Sequence, residues 1–379
     1  MTDFITQEIG SIQRPLWRQK LDAPPNEEWI ASALEWGEKL NVEEKNELAN
    51  ILRKKERTSE EKERIIEISS LYVIKMLEHA GLDRIYNGEQ TRTEMYDFLA
   101  KHTNGISTAG VLNSFDANYF RKGIITDIVS VKEDRISFFV NEFEFVKKHT
   151  KKIVKPCLTG PYTMMDWSYV EHYRNIYEKK GLAPKDAIAF GRRDATLDFA
   201  RNVLNPIVLQ LVEAGATVIQ IDEPAAATKE QESDFFVDAI NACFEGARNI
   251  EKAVHLCYSN YPALFPSLAS CKADSYLIEF TNHASSSVVS KEAFRMIELF
   301  KEHKMDVTIG VGVIDVHSDL IETPEVVRDR LLYAKTIIGN ASRVQVNPDC
   351  GLRTRQWNIA YAKLQNMVKG AELARAAGV

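Results

Sequence analysis

The sequence has no apolar run approaching the ~18–20 residues of a membrane-crossing helix, which sets that class aside. It has no surplus of positive charge either. Its 48 Lys+Arg stand against 54 Asp+Glu for a net charge of −6, with the signs interspersed. A nucleic-acid binder would show a basic face, so that function is excluded, whereas a small anionic substrate is not. The start, Met1-Thr2-Asp3-Phe4-Ile5, lacks the basic opening and apolar stretch of a signal peptide, which predicts a cytoplasmic protein. Internal repeats, low-complexity tracts and Gly/Ser linkers are missing, so composition divides the 379 residues nowhere. Cysteine is scarce: the five thiols are odd in number and scattered, which is no disulfide framework and leaves structural thiols or a metal site open. The phosphate fingerprint GxGxxG is absent, because Gly310-Val311-Gly312 has no third glycine at the required spacing.

What the chain does have is alternation. Short β-rich runs at Thr6–Ser11, Arg84–Asn87, Lys152–Leu158, Ala216–Asp222, Ala253–Tyr258, Ser275–Glu279, Val307–Val313 and Arg343–Asn347 are mostly separated by helical patterns. Strand–helix alternation implies parallel pairing, and eight such units predict an α/β fold of the (β/α)8 TIM barrel type, one domain over residues 1–379. A helical insertion is expected at 24–80, opened by Pro24-Pro25 and carrying two capping-box patterns, Asn41…Glu44 and Thr58…Glu61. Lys101–Val131, with its glycines and a β-rich end, reads as a hairpin laid over one end of the barrel.

Barrel active sites form at the C-terminal ends of strands, and unusual polar residues gather there in this register. His255 and Cys257 lie two apart on one strand and so share a face. Glu279 ends the next strand, and Cys350 follows the last. One imidazole, two thiols and a carboxylate suit tetrahedral zinc, and thiolates favour zinc over magnesium or calcium. Read singly, each has a plainer role as core, cap or turn residue. Asp222, Glu223 and Glu89 would likewise be rim or turn acids, and His317 a surface histidine. The case for a metal is the shared rim.

Three segments carry a family resemblance. His255-Leu-Cys-Tyr-Ser259, Gln220-Ile-Asp-Glu-Pro-Ala225 and Val346-Asn-Pro-Asp-Cys-Gly-Leu352 resemble the C-terminal catalytic barrel of cobalamin-independent methionine synthases. Glu8-Ile-Gly-Ser11, Asn87-Gly-Glu89, Thr159-Gly-Pro161 with Trp167, and Gly312-Val-Ile-Asp-Val-His-Ser318 support it in the same order along the chain. The resemblance implies a zinc-dependent methyl transfer to the thiol of L-homocysteine, forming methionine. It makes His255, Cys257, Glu279 and Cys350 the zinc ligands. Ser11 with the backbone around Ile9 and Gly10 would hold the substrate carboxylate, Glu89 and Asp222 its ammonium group, and His317 would serve as proton donor.

On the methyl-donor side the match thins. Full-length members carry a second, N-terminal barrel for which this chain has no room. The acid expected six positions beyond Asp222 is Thr228, and the family's Arg-Cys pair appears as Arg121-Lys122. Trp167 and Arg121 remain as donor contacts. This pattern is similar to the short, single-barrel members, and it places a methylcorrinoid, carried by a protein partner, ahead of methyltetrahydrofolate as donor. Two alternatives stay open: zinc-dependent alkyl transfer to another thiol such as coenzyme M, and a non-catalytic barrel stabilised by zinc.

Overall fold

The computed structural model describes residues 3–114, 117–226, 229–257, 260–281 and 291–377, giving the backbone alone for 108–122 and 291–293. Its strands are β1 (Ile5–Thr6), β2 (Arg84–Ile85), β3 (Thr103–Ser114), β4 (Ala117–Val131), β5 (Ile153–Val154), β6 (Cys157–Thr159), β7 (Ser168–Tyr169), β8 (Val218–Asp222), β9 (Glu251–Leu256), β10 (Ser275–Ile278), β11 (Thr308–Ile314) and β12 (Val344–Pro348).

Seven of them form one sheet in the order β1-β12-β11-β10-β9-β8-β6, with every pairing parallel. The strands are short and buried on both faces, as a parallel sheet wrapped in helices requires. β2 and β5 pair with each other and join this sheet at both of its ends. Gln7, just past β1, bridges Arg84 in parallel. On the other side β5 runs on towards β6, and Gln220 N donates to Pro156 O at 3.0 Å. The parallel sheet therefore curls back on itself, as the strand–helix alternation predicts.

Polar side chains fill the end of the curled sheet where the strands begin. Arg84 grips Glu251 with two hydrogen bonds of 2.9 and 2.6 Å, and Ser275 Oγ and Gln345 Nε2 donate to the same carboxylate at 2.7 and 2.9 Å. Gln7 Nε2 in turn donates to Gln345 Oε1 at 2.7 Å, so β1, β2, β9, β10 and β12 are tied through one network. Burial works against the Glu251 charge, but the hydrogen bonds and charge of Arg84, with the hydrogen bonds from Gln345 and Ser275, together outweigh it and hold the carboxyl below its ordinary value.

The two glycines that fail as a phosphate loop lie inside β11 and serve packing. A Cβ on Gly310 would sit 2.3 Å from Leu277 Cδ2, 2.4 Å from Asn347 Oδ1 and 3.2 Å from the Leu277 Cα. Gly310→Ala should therefore lower stability by ~1–3 kcal/mol, the usual cost of overpacking. An unchanged denaturation midpoint would show that β11 has room to spare.

Between β1 and β2 run the helices Glu27–Lys39, Lys45–Leu52 and Ser59–Ala80. Asn26 caps the first by accepting from Trp29 N at 3.0 Å. Thr58 and Glu61 form the expected capping box, with bonds of 3.3 and 3.0 Å. The Asn41…Glu44 pattern caps nothing. Asn41 instead takes a positive φ of 54° just past the end of the first helix, a conformation its short amide side chain tolerates. The hairpin is present as β3 and β4, antiparallel over Thr103–Ser114 and Ala117–Val131, with β7 against β4. Among the described residues no helix is long and apolar enough to cross a membrane.

Candidate active site

Register places the chemistry before any side chain is considered. Asp222 at the end of β8 pairs with His255 on β9, and Ile278 at the end of β10 pairs with Leu256, which sets Glu279 beside Cys257. Cys350 lies two residues beyond β12, on a turn fixed by its neighbour Asp349. Asp349 accepts from the backbone N–H groups of Phe280 and Thr281 at 2.9 and 3.1 Å and from the Thr281 hydroxyl. This stitches the Cys350 turn to the segment after β10.

His255, Cys257 and Cys350 come together, with one potential ligand atom from each and all three within 4.8 Å of one another. The two sulfurs are 3.8 Å apart. His255 is buried, and its Nδ1 meets Leu277 O at 3.0 Å, which fixes the tautomer with a proton there. Its Nε2 is buried without a hydrogen-bond partner. A buried imidazole lone pair facing two thiols is a donor set for a soft, tetrahedral cation, and zinc fits it. The facing thiols also part in acidity. Cys350 is pulled well below its ordinary value by its hydrogen bond with Cys257 and by the charge of the neighbouring His255, while Cys257 is pushed up. Glu279 is buried next to this trio, but its carboxylate does not fall within the 4.8 Å set.

A second cluster lies alongside. Glu89, Cys157 and Asp222 also bring ligand atoms within 4.8 Å, with Cys157 Sγ 3.5 Å from Glu89 Oε1. Here guanidinium is part of the group, since Arg92 lies 3.4 Å from Glu89 Oε1 and 3.8 Å from Cys157 Sγ. Arg92 itself is anchored by Glu142 at 2.7 Å. Burial pushes the Asp222 carboxyl up to about 7 against the pull of His255. Burial also drives the Cys157 thiol well up, although Arg92 opposes it.

A buried bridge supports both sides of this cluster. Lys155 Nζ donates to Glu8 O at 2.6 Å and to Gln220 Oε1, while Gln220 Nε2 donates to Ile9 O at 2.5 Å and Asp222 Oδ1 at 2.6 Å. The backbone of Glu8–Ile9 and the Asp222 carboxylate are thus held by the same amide. Glu223 has a different task. It accepts from Tyr162 N, Thr163 N and Thr163 Oγ1 at 2.9, 2.8 and 2.6 Å, which ties the helix Pro161–Asp166 to β8.

The other expected site residues are distributed as follows. Ile9 is buried, and a Cβ on Gly10 would lie 3.4 Å from both Cys157 Sγ and Glu89 Oε1, so that stretch borders the acid cluster. Ser11 abuts the Cys350 turn, because a Cβ on Gly351 would be 2.4 Å from Ser11 Oγ. Trp167 is buried with its ring centroid 6.2 Å from Tyr96. Arg121 pairs with Val111 in the hairpin, its side chain lying outside the described residues, as does Thr228 altogether. His317 is exposed on the loop after β11, with its N–H donating to Asp315 Oδ1 at 2.7 Å. The motif-based reading gave no site role to Glu8, Arg92, Lys155 or Cys157, although Glu8 opens one of its supporting segments. Lys155 and Cys157 did carry a signal, since they alternate in a short β run just before Thr159-Gly-Pro161.

Comparison with known proteins follows the same lines. Residues 41–373 match the family described as cobalamin-independent synthase, catalytic domain. The chain is 35% identical over 385 residues to a methionine synthase from Thermoplasma volcanium and 34% over 384 residues to one from Thermoplasma acidophilum, covering 97% of each chain in both cases. A B12-independent methionine synthase from Shewanella sp. W3-18-1, solved in complex with selenomethionine, aligns over 99% of both chains with a TM-score of 0.71 at 24% identity, a likeness of fold. The expectation of a methylcorrinoid donor is at odds with the cobalamin independence of that family, and the donor ranking is corrected accordingly.

Proposed function

The chain belongs to the cobalamin-independent methionine synthase family, and from that premise we propose that it is a zinc-dependent methyltransferase that methylates L-homocysteine from a donor of the methyltetrahydrofolate class. The observation that carries this is the adjacency of two unlike sites, a His-Cys-Cys cluster and an acid cluster, through the paired residues Asp222 and His255. A structural metal site needs no second cluster of buried acids beside it.

Zinc would be held by His255, Cys257 and Cys350, with Glu279 close by as the fourth ligand that the family resemblance implies. When bound, it would lower the pKa of a thiol so that the thiolate is available at neutral pH. The rest falls to the chain itself. Glu89 and Asp222 take the ammonium group, which needs carboxylate partners once it leaves water. Ser11 and the backbone at Ile9 and Gly10 take the carboxylate, their position fixed by Gln220 and Lys155 from below. The exposed loop carrying His317 supplies the proton to the departing donor. Trp167 and the hairpin strand bearing Arg121 form the donor side. The whole chain acts as one (β/α)8 barrel in the cytoplasm, with the 24–80 helices packed within that domain.

A thiol such as coenzyme M ends in a sulfonate and lacks an amine, so buried acids would repel it. The donor assignment predicts measurable methionine formation from homocysteine and methyltetrahydrofolate by zinc-supplied protein, and a far lower rate with methylcobalamin. A rate with the corrinoid alone would overturn it.

A further inference from the structure

The Glu8 carboxylate is used by neither the sheet network nor the proposed chemistry. Its side chain is 2% exposed, and both carboxylate oxygens are buried without a hydrogen-bond partner. Native structures leave few buried polar atoms in that state, and a carboxylate is among the costlier ones. An internal ion pair does not account for it. Lys155, buried beside it, spends its hydrogen bonds on the Glu8 backbone carbonyl and on Gln220. Arg92 is engaged by Glu142 at 2.7 Å and Glu89 at 3.4 Å.

Glu8 lies two residues before Gly10, at which a Cβ would be 3.4 Å from Glu89 Oε1, and Lys155 and Gln220 link its backbone to Asp222, so that Lys155, Glu89, Asp222 and Arg92 are the charges acting on its carboxyl. Arg92 is shared by Glu142 and Glu89, and His255 faces Asp222, which leaves Lys155 as the cation acting most strongly on Glu8. Burial pushes the Glu8 carboxyl up to about 8 despite Lys155, as expected for an acid whose counter-charge has not arrived. An α-ammonium group offers three N–H donors and one positive charge.

We propose that Glu8 is a third carboxyl of the amino-group subsite, so that Glu8, Glu89 and Asp222 together recognise the α-ammonium of an amino-acid thiol and reject thiols without one. The inference rests on reading the chain as a homocysteine-binding enzyme and deepens it by naming what selects the substrate class. Glu8→Gln keeps the backbone carbonyl that holds Lys155, so the strand end stays anchored.

The test is titration calorimetry on the full chain supplied with zinc, using L-homocysteine and 4-mercaptobutanoate, which has the same thiol and carboxylate but no amine. Glu8→Gln should weaken homocysteine binding by ~10- to 100-fold, the range for loss of one hydrogen bond to a charged group. It should leave 4-mercaptobutanoate nearly unchanged, and Glu8→Asp should recover part of the loss. Equal weakening of both thiols, or undiminished homocysteine binding, overturns the role of Glu8 while leaving the enzyme assignment intact. Wild-type protein that binds neither thiol overturns the assignment itself, and this inference with it.

Discussion

Cys350→Ala should strip the chain of zinc and, with it, of thiol alkylation. The two sulfurs are 3.8 Å apart and His255 Nε2 has no hydrogen-bond partner, so removing one thiol leaves an imidazole, a single sulfur and the nearby Glu279 to hold the ion. Loss of an outer-shell partner alone typically lowers metal affinity 10- to 100-fold, so loss of a direct ligand should exceed about 100-fold. Cys257→Ala should behave alike. Cys243→Ala, at a buried thiol on the helix Ser233–Cys243, should retain the metal. Metal analysis after dialysis against a weak chelator reads all three. Full zinc content and full alkylation in Cys350→Ala and Cys257→Ala would sink the metal assignment.

Arg92→Met should give the largest loss of stability. The guanidinium and Glu142 are both nearly inaccessible and 2.7 Å apart, and Tyr86 Oη, at 2.7 Å, and Thr91 also donate to that carboxylate. Burial alone would push Glu142 up, but Arg92 and these hydroxyls hold its carboxyl below the ordinary range. Taking away one partner strands a buried charge, which costs ~3–5 kcal/mol. Urea denaturation should show this. Adding Glu142→Gln, which keeps an acceptor for Tyr86 but removes the charge, should restore most of it. A single-variant loss under ~1 kcal/mol would mean that water reaches the pair.

The fold was legible because its signal is repetitive. Runs such as Val218–Asp222 and Ser275–Ile278 are short, β-rich and set between helical patterns, which reads as parallel strands, and Thr323-Pro324 announces its helix, with Thr323 accepting from Val326 N at 3.4 Å. The His255, Cys257 and Cys350 cluster was legible for the same reason, since alternation and strand ends fix which way a side chain turns. Asn41 misled because a capping pattern and a helix-terminating Asn use the same residue type. Glu8, Arg92 and Lys155 were illegible singly. Their meaning lies in distances between strands far apart in sequence, and a charged residue in a strand gives no sign of which charge it will meet.

The pairing of β1 with β12 joins opposite ends of the described chain: Gln7 meets Gln345 across 338 residues. During synthesis the strand that precedes Ser11 must therefore wait, unpaired on that edge, until the segment carrying Cys350 has left the ribosome. Contacts of that span come late in folding. Both halves of the site meet at this seam, where Ser11 abuts Gly351. Competence to bind substrate should thus appear only after β12 and Cys350 have emerged, and a chain arrested at β11 would lack a usable site.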